Sequence, residues 1–339
     1  MNTVRSLVAL GTAVILVAGC RDAEPTAPVR HLSPGGPARS ASVGDEATYS
    51  PELDQIRQEL IASGVTNVEL LGAEVFVAAD SAGWEGKTEL IANNRTHTLS
   101  SAFVPSDPRR GGASSISYLV DQSDGVALSF ASLTPVTVVA LPNAVTEAEI
   151  DASMLRWQNQ PSCGAPEVVK IADSGADPDL IDGIVLGIPA RIGTPFADIT
   201  HAGWLPGSFF NAVAPPNGGS FILGVTFTFI FVNNGVPTDI DHDRRADVAF
   251  REIYYNRAFP WATSDALDAN VDIQSVATHE AGHAYGLGHF GKVFVDNNGV
   301  IKYAPKAVMN AVYISQYRDL AGTDNASFCQ LWASAQKTF

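Results

Sequence analysis

Three histidines and one glutamate lie close together in the stretch VATHEAGHAYGLGHFG of this chain. They are His279, Glu280, His283 and His289, and the whole chain contains seven histidines. On a helix, His279 and His283 would lie on one face about one turn apart, where two imidazoles can bind one metal ion. Gly286 can adopt a positive φ and end the helix, so that the returning chain brings His289 to the same ion as a third ligand.

Three histidine nitrogens and an adjacent carboxylate predict a catalytic zinc site. Three protein ligands leave a fourth tetrahedral position for water, and imidazole suits zinc, although other transition metals also accept it. Zinc lowers the pKa of that water, and Glu280 can accept its proton as general base and return it to the leaving amine. We therefore predict zinc-dependent hydrolysis of a peptide bond without a covalent intermediate.

The pattern H-E-x-x-H-x-x-G-x-x-H resembles the signature of the metzincin metallopeptidases. The segment KAVMNAVY is similar to their Met-turn and places Met309 as the methionine beneath the zinc; the alternative for Met309 is ordinary core packing. The resemblance implies an α+β, zincin-like catalytic domain with a twisted mixed sheet, an active-site helix and a C-terminal helix.

Within the metzincins, the chain is most similar to the matrixins over residues 165–339. FADITHAG resembles their third strand, and GVTFTFIF resembles the edge strand above the cleft, which implies a polypeptide substrate that pairs with this edge. EIYYNRAFPW resembles the next strand. Phe290 stands where matrixins usually have Ser or Thr. Tyr254 replaces the histidine of their structural zinc, and Asn256, Arg257 and Ala258 replace acidic calcium ligands, so we expect neither that zinc nor that calcium.

The first half of the chain predicts a separate small α+β domain over residues 50–160. SPELDQIRQELIASG has the cap and terminator of a helix, and four short segments between residues 67 and 141 alternate as strands do. Thr146 and Glu149 have the spacing of a capping box at the start of another helix. We expect this domain to be a prodomain or an accessory domain, followed by the catalytic domain at 161–339.

In that second half, four segments have the residue pattern of strands. They are GIVLGIPARI, FADITHAG, SFILGVTFTFIFV and AFREIYYN. Helices are expected from about residue 272 and over 324–337.

Alternating carboxylates in TDIDHDRRAD indicate either a calcium site or a solvated acidic turn. The four candidate ligands are Asp239, Asp241, Asp243 and Asp247. Calcium takes several oxygen ligands, but Arg244 stands where such loops usually have glycine and no bidentate glutamate follows.

Cys163 and Cys329 have two alternative interpretations. The third cysteine, Cys20, lies in a predicted export signal at the N-terminus. In an exported protein, the two cysteines that remain most simply form a disulfide with each other. The segment PSCGAPEV also resembles the cysteine switch of matrixin propeptides, in which Cys163 would occupy the open position of the zinc. Ser162 replaces the arginine of that motif, and the two interpretations exclude each other.

The N-terminus predicts export and a lipid anchor. Residues 1–19 have the charged start and apolar run of a signal peptide, and VAGC resembles a bacterial lipobox in which Cys20 is lipidated; the alternative is an ordinary signal with a chance cysteine. Arg21 favours the outer membrane. Residues 20–49 are rich in Pro, Ala, Ser and Gly and predict a disordered tether.

The composition limits the classes of partner. The net charge of −15 and pI of about 4.7 argue against nucleic acid, which needs clustered Lys and Arg. We expect a monomer that acts on polypeptides. Two other functions stay open: a surface binding or adhesion module with a vestigial zinc site, and a zinc hydrolase of non-protein amides. The intact Glu280 argues against the first, and the long strand at 220–232 argues against the second.

Overall fold

A mixed sheet carries the candidate site on one of its faces. The structure, a computed structural model, describes residues 51–62, 64–79, 88–90, 98–133, 135–159, 163–187, 197–263, 270–295 and 300–335. The predicted signal peptide, the lipidation site Cys20 and the tether lie outside these residues.

Six α-helices are present in the described part of the chain. They are α1 (Pro51–Ala62), α2 (Asn143–Gln158), α3 (Ile181–Leu186), α4 (Gly207–Val213), α5 (Ile273–Ala284) and α6 (Gly322–Ala335). Single 3₁₀ turns lie at Pro108–Arg110 and Gly218–Ser220.

The strands range from two to twelve residues in length. In the first half they are β1 (Val68–Ala78), β2 (Thr88–Leu90), β3 (Ser101–Ala102), β4 (Ile116–Val120), β5 (Leu128–Leu133), β6 (Val136–Ala140) and β7 (Val168–Lys170). In the second half they are β8 (Ile199–Leu205), β9 (Ile222–Asn233), β10 (Val236–Pro237), β11 (Ala246–Asn256), β12 (Trp261–Ala262), β13 (Val271–Asp272), β14 (Lys292–Val295), β15 (Ile301–Ala304) and β16 (Val312–Tyr313).

The main sheet has the strand order β16-β1-β9-β11-β8-β4-β7, with β10 paired to β9 and β3 paired to β11. β9 is antiparallel to both of its neighbours, whereas β11, β8, β4 and β7 run parallel to one another. Parallel and antiparallel pairs in one sheet, with helices packed on it, confirm the predicted α+β class.

Two hydrophobic clusters cover the two faces of this sheet. Alternation along β11 separates them: Ile253 and Tyr255 belong to the cluster that includes α2, α5 and α6, and Tyr254 belongs to the cluster that includes α1, α3 and α4. Because successive strand residues point to opposite faces, each face has its own helical layer. The histidine-bearing helix α5 lies in the first layer.

Residues 50–160 do not form the separate small domain that we expected. β1 and β4 are strands of the main sheet, and α2 packs against α5, where the indole nitrogen of Trp157 donates to the carbonyl of Thr278 at 2.8 Å. All described residues fall within one compact unit. The predicted boundary near residue 160 is wrong because the short strands of the first half bury their apolar sides only by joining the strands of the second.

The prediction of a free sheet edge at residues 220–232 is also wrong. β1 pairs with β9 over almost its whole length, from Val68 opposite Phe231 to Val77 opposite Ile222. The buried pattern of β9 requires partners on both sides, so an edge position would have left its apolar residues and backbone groups exposed. β1 is itself bordered by β16, which pairs in parallel with Val77 and Ala78.

The segment GIVLGIPARI was predicted as a strand, and its first residues are instead the last turn of α3. The residues after 187 lie outside the described part. Short apolar runs do not distinguish a strand from a buried helical turn, which accounts for the error.

Candidate metal centre

Helix α5 positions two of the three histidines on one face. Asp272 caps its first turn, because its carboxylate accepts a hydrogen bond from the backbone N–H of Ser275 at 2.8 Å. The helix is followed by Gly286, whose φ is 98°, and the backbone N–H of this glycine donates to the carbonyl of His283. The positive φ turns the chain back toward His289, as the sequence predicted.

The Nε2 atoms of the three histidines converge on one point. The distance from His279 to His283 is 3.0 Å, and His289 lies 3.1 Å from each of them. The Nδ1 atom of His279 lies 2.7 Å from the carbonyl of Val308, and that of His283 lies 2.8 Å from the carbonyl of Leu287. A carbonyl only accepts hydrogen bonds, so both Nδ1 atoms carry the proton and both Nε2 atoms present lone pairs.

This arrangement fits a tetrahedral metal ion. Zinc bound to imidazole at about 2.0–2.1 Å separates its nitrogen ligands by about 3.3 Å, close to the distances observed here. Lone pairs that face one another across 3.0 Å repel unless a cation lies between them. The backbone carbonyls behind His279 and His283 also fix the rings in the way that outer partners of metal ligands do.

The protein environment keeps two of the rings neutral. Burial lowers the pKa of His279 to about 3, partly opposed by its hydrogen bond to Val308. Burial, and then the neighbouring His289 and His279, lowers the pKa of His283 well below its ordinary value. Neutral imidazole is the form that binds metal ions, so the site needs no deprotonation of these two ligands near neutral pH.

Glu280 is held against strand β9 next to the first ligand. Its side chain is fully buried, and the hydroxyl of Thr226 donates to Oε2 at 2.5 Å. Among the described residues, Oε1 has no hydrogen-bond partner. Gly224 allows this approach, since a Cβ at that position would lie 2.7 Å from Oε1. Burial raises the pKa of Glu280 well above its ordinary value; Thr226 opposes the shift and Glu74 adds to it.

Met309 lies against the inner side of α5. A Cβ at Gly282, between the two histidines, would overlap the sulfur of Met309 and lie 2.8 Å from Cζ2 of Trp157. The turn that carries Met309 is fixed by Asp324, which accepts the backbone N–H groups of Val308 and Met309 at 2.9 and 3.1 Å. Met309 is therefore a core residue packed against α5 at Gly282, and its role as the methionine of a Met-turn stays a prediction.

Strand β1 covers the site from the sheet side. The ring of Phe76 stacks on His279, with centroids 3.8 Å apart and planes inclined by 10°. Glu74 places Oε2 4.0 Å from Nδ1 of His289. Both residues lie on the strand that occupies the edge of β9, so the histidines face a strand of their own chain.

The predicted calcium loop brings together three of its four aspartates. Oxygen atoms of Asp239, Asp241 and Asp247 lie within 4.8 Å of one another, whereas Asp243 pairs with Arg245. Asp247 is buried and already bound by Arg109 at 2.7 Å. Asp239 accepts backbone N–H groups of the same loop. Calcium here stays a prediction, and these partners favour the acidic turn.

Cys163 and Cys329 form a disulfide, with their Cα atoms 5.2 Å apart. The bond joins the segment before β7 to helix α6. Because its sulfur is bonded, Cys163 cannot occupy a metal position as the alternative switch required.

Sequence reasoning missed the residues that hold these side chains in place. They are Thr226, Arg251, Asn310 and Asp324. Arg251 is fully buried and donates to the carbonyl of Ala284 at the end of α5, at 2.6 Å. The nitrogen of the Asn310 side chain donates to the carbonyl of Phe290 at 2.8 Å. A polar residue inside an apolar run could have indicated two of these four residues, namely Thr226 in LGVTFTF and Arg251 in AFREIYY.

No protein-family model matches the chain, and no curated protein matches it in sequence. Within the described residues, no helix is both long and apolar enough to cross a membrane.

Proposed function

We propose that this chain is a zinc-dependent endopeptidase of the metzincin type, similar to the matrixins, that is exported and anchored by a lipid at Cys20. The observation that carries the proposal is the convergence of three histidine Nε2 atoms beside a buried glutamate. His279, His283 and His289 would hold the zinc. When bound, zinc would supply a Lewis acid that polarises a peptide carbonyl and lowers the pKa of a water molecule.

The side chains of this protein divide the remaining work. Glu280 accepts the proton of the attacking water on Oε1, which has no hydrogen-bond partner among the described residues, and returns it to the leaving amine. Thr226 keeps the carboxylate oriented through its short hydrogen bond to Oε2. The carbonyls of Val308 and Leu287 keep the Nε2 atoms of His279 and His283 free of protons. The close contact between Met309 and Gly282 fixes the distance between α5 and the turn that carries Met309.

A substrate strand must replace β1 in this proposal. Both edges of β9 are hydrogen-bonded to strands of the same chain, and the ring of Phe76 covers His279. β1 therefore covers the histidines in the described conformation, and this strand of the main sheet, rather than a separate prodomain, would limit access to the site. An extended polypeptide that displaces β1 would find the same backbone donors and acceptors on β9.

An adjoining cavity of about 290 Å³ would take a substrate side chain. Its lining includes Phe76, Tyr303, Val308, Val312 and Tyr313, and Lys306 also contributes. Val308 belongs both to this lining and to the hydrogen bond of His279, so the cavity adjoins the site. Its aromatic and aliphatic walls favour an apolar side chain next to the scissile bond.

The test compares Glu280→Ala with Glu167→Ala, an exposed glutamate outside the site. Zinc content and cleavage of unfolded casein are measured on the purified chain and both variants. We expect all three to retain zinc, and Glu280→Ala to lose about 10²–10⁴-fold in rate while Glu167→Ala does not change.

The same assay decides between the alternative functions. Zinc binding without cleavage of casein, also after Phe76→Ala has opened the site, would contradict the peptidase. That result would favour the surface binding module with a vestigial site.

A further inference from the structure

Five aspartates form a second cluster in a different part of the molecule. Asp121 and Asp124 follow strand β4, Asp177 and Asp179 precede helix α3, and Asp182 lies in its first turn. One carboxylate oxygen from each of Asp121, Asp124, Asp177 and Asp179 lies within 4.8 Å of the others. The two segments are distant in the chain, so the fold itself brings these charges together.

Several of these oxygens are buried without a hydrogen-bond donor. Asp179 is fully buried, and no N–H or hydroxyl group of the described residues donates to its carboxylate oxygens, which contact the carboxyl groups of Asp124 and Asp182 instead. One oxygen each of Asp124, Asp177 and Asp182 is buried and without a partner in the same way. A buried carboxylate without a donor costs several kcal/mol, so a ligand for these oxygens is required.

The guanidinium of Arg257 lies beside Gly125, next to Asp124, but none of the ion pairs found within the described residues joins it or another cation to the five aspartates. The nearby Glu252 adds another carboxylate, although it is satisfied by the backbone N–H groups of Leu180 and Ile181 and by the hydroxyl of Tyr254. Glu252 thereby anchors the segment that carries Asp179.

Two ligands can stabilise such a cluster, namely shared protons or a cation. Burial, followed by repulsion from neighbouring aspartates, raises the pKa of Asp124 to about 8 and that of Asp177 to about 6. Without a cation, Asp124 would therefore be mostly protonated near neutral pH, whereas Asp177 would be protonated mainly below about pH 6. A protonated pair offers one hydrogen, which leaves most of the remaining oxygens unpartnered.

The number and type of the ligands favour calcium over magnesium. Calcium takes about six to eight oxygen ligands, carboxylates among them, in a flexible arrangement. Magnesium needs a nearly ideal octahedron and usually keeps several of its water ligands, so it is less suited to a cluster of four carboxylates. One divalent cation offsets two of the negative charges at once. Protons would have to neutralise the carboxylates one by one.

We propose that Asp121, Asp124, Asp177 and Asp179 bind one calcium ion. Asp182 lies next to these ligands and adds negative charge near the ion. The ion joins the turn after β4 to the segment before α3 and so fixes two loops that no disulfide or metal-ligating histidine restrains. This site contains none of the histidines and does not depend on the proposed peptidase activity.

The experiment measures calcium binding to the purified chain after treatment with a chelator. The chain is titrated calorimetrically with calcium chloride to about 10 mM, above the range in which extracellular modules bind the ion. Asp179→Asn removes a ligand charge with little change of shape. Asp241→Asn is the matched control, because it alters the other acidic group and leaves this one intact.

We expect the unaltered chain and Asp241→Asn to bind one calcium ion each and Asp179→Asn to lose binding at least tenfold. Saturating calcium should raise the Tm of the unaltered chain by about 5 °C or more. If Asp179→Asn does not fold, Asp124→Asn replaces it and the same loss is expected.

Two results would overturn the proposal. Absence of calcium binding by the unaltered chain, with Asp179→Asn more stable than the unaltered chain, would mean that the carboxyls share protons. Binding that survives Asp179→Asn and Asp124→Asn but disappears in Asp241→Asn would place the ion in the 239–247 loop instead.

Discussion

Individual residues in this site are fixed by contacts that only the folded chain provides. The spacing of His279, His283 and His289 predicts that they converge, and their Nε2 atoms do meet within 3.1 Å. The carbonyl of Val308 that sets the tautomer of His279 comes from a distant part of the chain, and no local pattern announces it. A polar residue such as Thr226 inside an apolar strand was the detectable hint.

Gly282 provides a prediction at this scale. Alanine normally stabilises a helix relative to glycine by about 0.5–1 kcal/mol. Here the added Cβ would overlap the sulfur of Met309 and crowd Trp157, and overpacking of a core costs about 1–3 kcal/mol. We expect Gly282→Ala to lower the free energy of unfolding by about 1–2 kcal/mol in a urea titration.

Gly72→Ala is the control for this change, because a Cβ at position 72 meets no atom within 4 Å. Equal stability of Gly282→Ala and the unaltered chain would show that Met309 moves aside at no cost.

The acidic cluster predicts how stability depends on pH. Its raised pKa values mean that, without a cation, the folded chain binds more protons than the unfolded chain between about pH 4 and pH 8. Stability of the chelated chain should therefore fall as the pH rises through this interval. The groups that face the cluster include Glu252 and Asp173, which are also acidic and act in the same direction.

Calcium should remove this dependence, because a bound ion favours the ionised carboxylates. Tm measured from pH 4 to pH 8, with calcium and with chelator, tests it. Parallel curves under the two conditions would contradict the site.

At the scale of elements, the sequence predicted most helices and strands but not their neighbours. Helix α5 was expected from about residue 272 and spans Ile273–Ala284, and β9 was expected at 220–232 and spans Ile222–Asn233. Local periodicity carries that information. The pairing of β1 with β9 joins segments far apart in sequence, and nothing in the alternation of either strand specifies its partner. The edge was for this reason assigned to the wrong strand.

The cover that β1 forms leads to a prediction on access. Phe76→Ala removes the ring that stacks on His279, whereas Val75→Ala alters a neighbour that packs with the opposite hydrophobic cluster. We expect Phe76→Ala to raise the rate of casein cleavage several-fold and to speed the removal of zinc by a chelator. Val75→Ala should do neither.

A decrease in cleavage by Phe76→Ala with zinc retained would count against this account. Phe76 would then contribute to substrate binding, and β1 would be part of the working site.

The whole molecule is organised around one sheet rather than two domains. Composition and length suggested a division near residue 160, because each half contains its own helices and strands. The structure instead interleaves them, with β4 of the first half between β8 and β7 of the second and with α2 against α5. Which chain segments share a sheet depends on long-range packing, which a single sequence does not display. For the same reason, the sequence did not predict that the aspartates of the second cluster lie close together.

The disulfide between Cys163 and Cys329 predicts a loss of stability on its removal. It closes a loop across a separation of 166 residues and ties α6 to the start of β7. Such cross-links contribute about 2–5 kcal/mol. In a urea titration, the double variant Cys163→Ser/Cys329→Ser should show a free energy of unfolding lower by this amount, and it should still bind zinc.

The single variant Cys163→Ser tests the excluded switch separately. A large gain in peptidase activity in this variant would be inconsistent with the structural role of the disulfide.

We propose that a zinc ion bound by the three histidines makes this chain a peptidase. The most direct measurement is the rate of casein cleavage as metal-free chain receives increasing equivalents of zinc, with the Phe76→Ala form beside it. We expect the rate to rise until one equivalent of zinc has been added and to be faster in Phe76→Ala. We expect no cleavage by Glu280→Ala, although this variant binds the same amount of zinc. Full zinc uptake without cleavage in either the unaltered chain or Phe76→Ala would contradict this proposal.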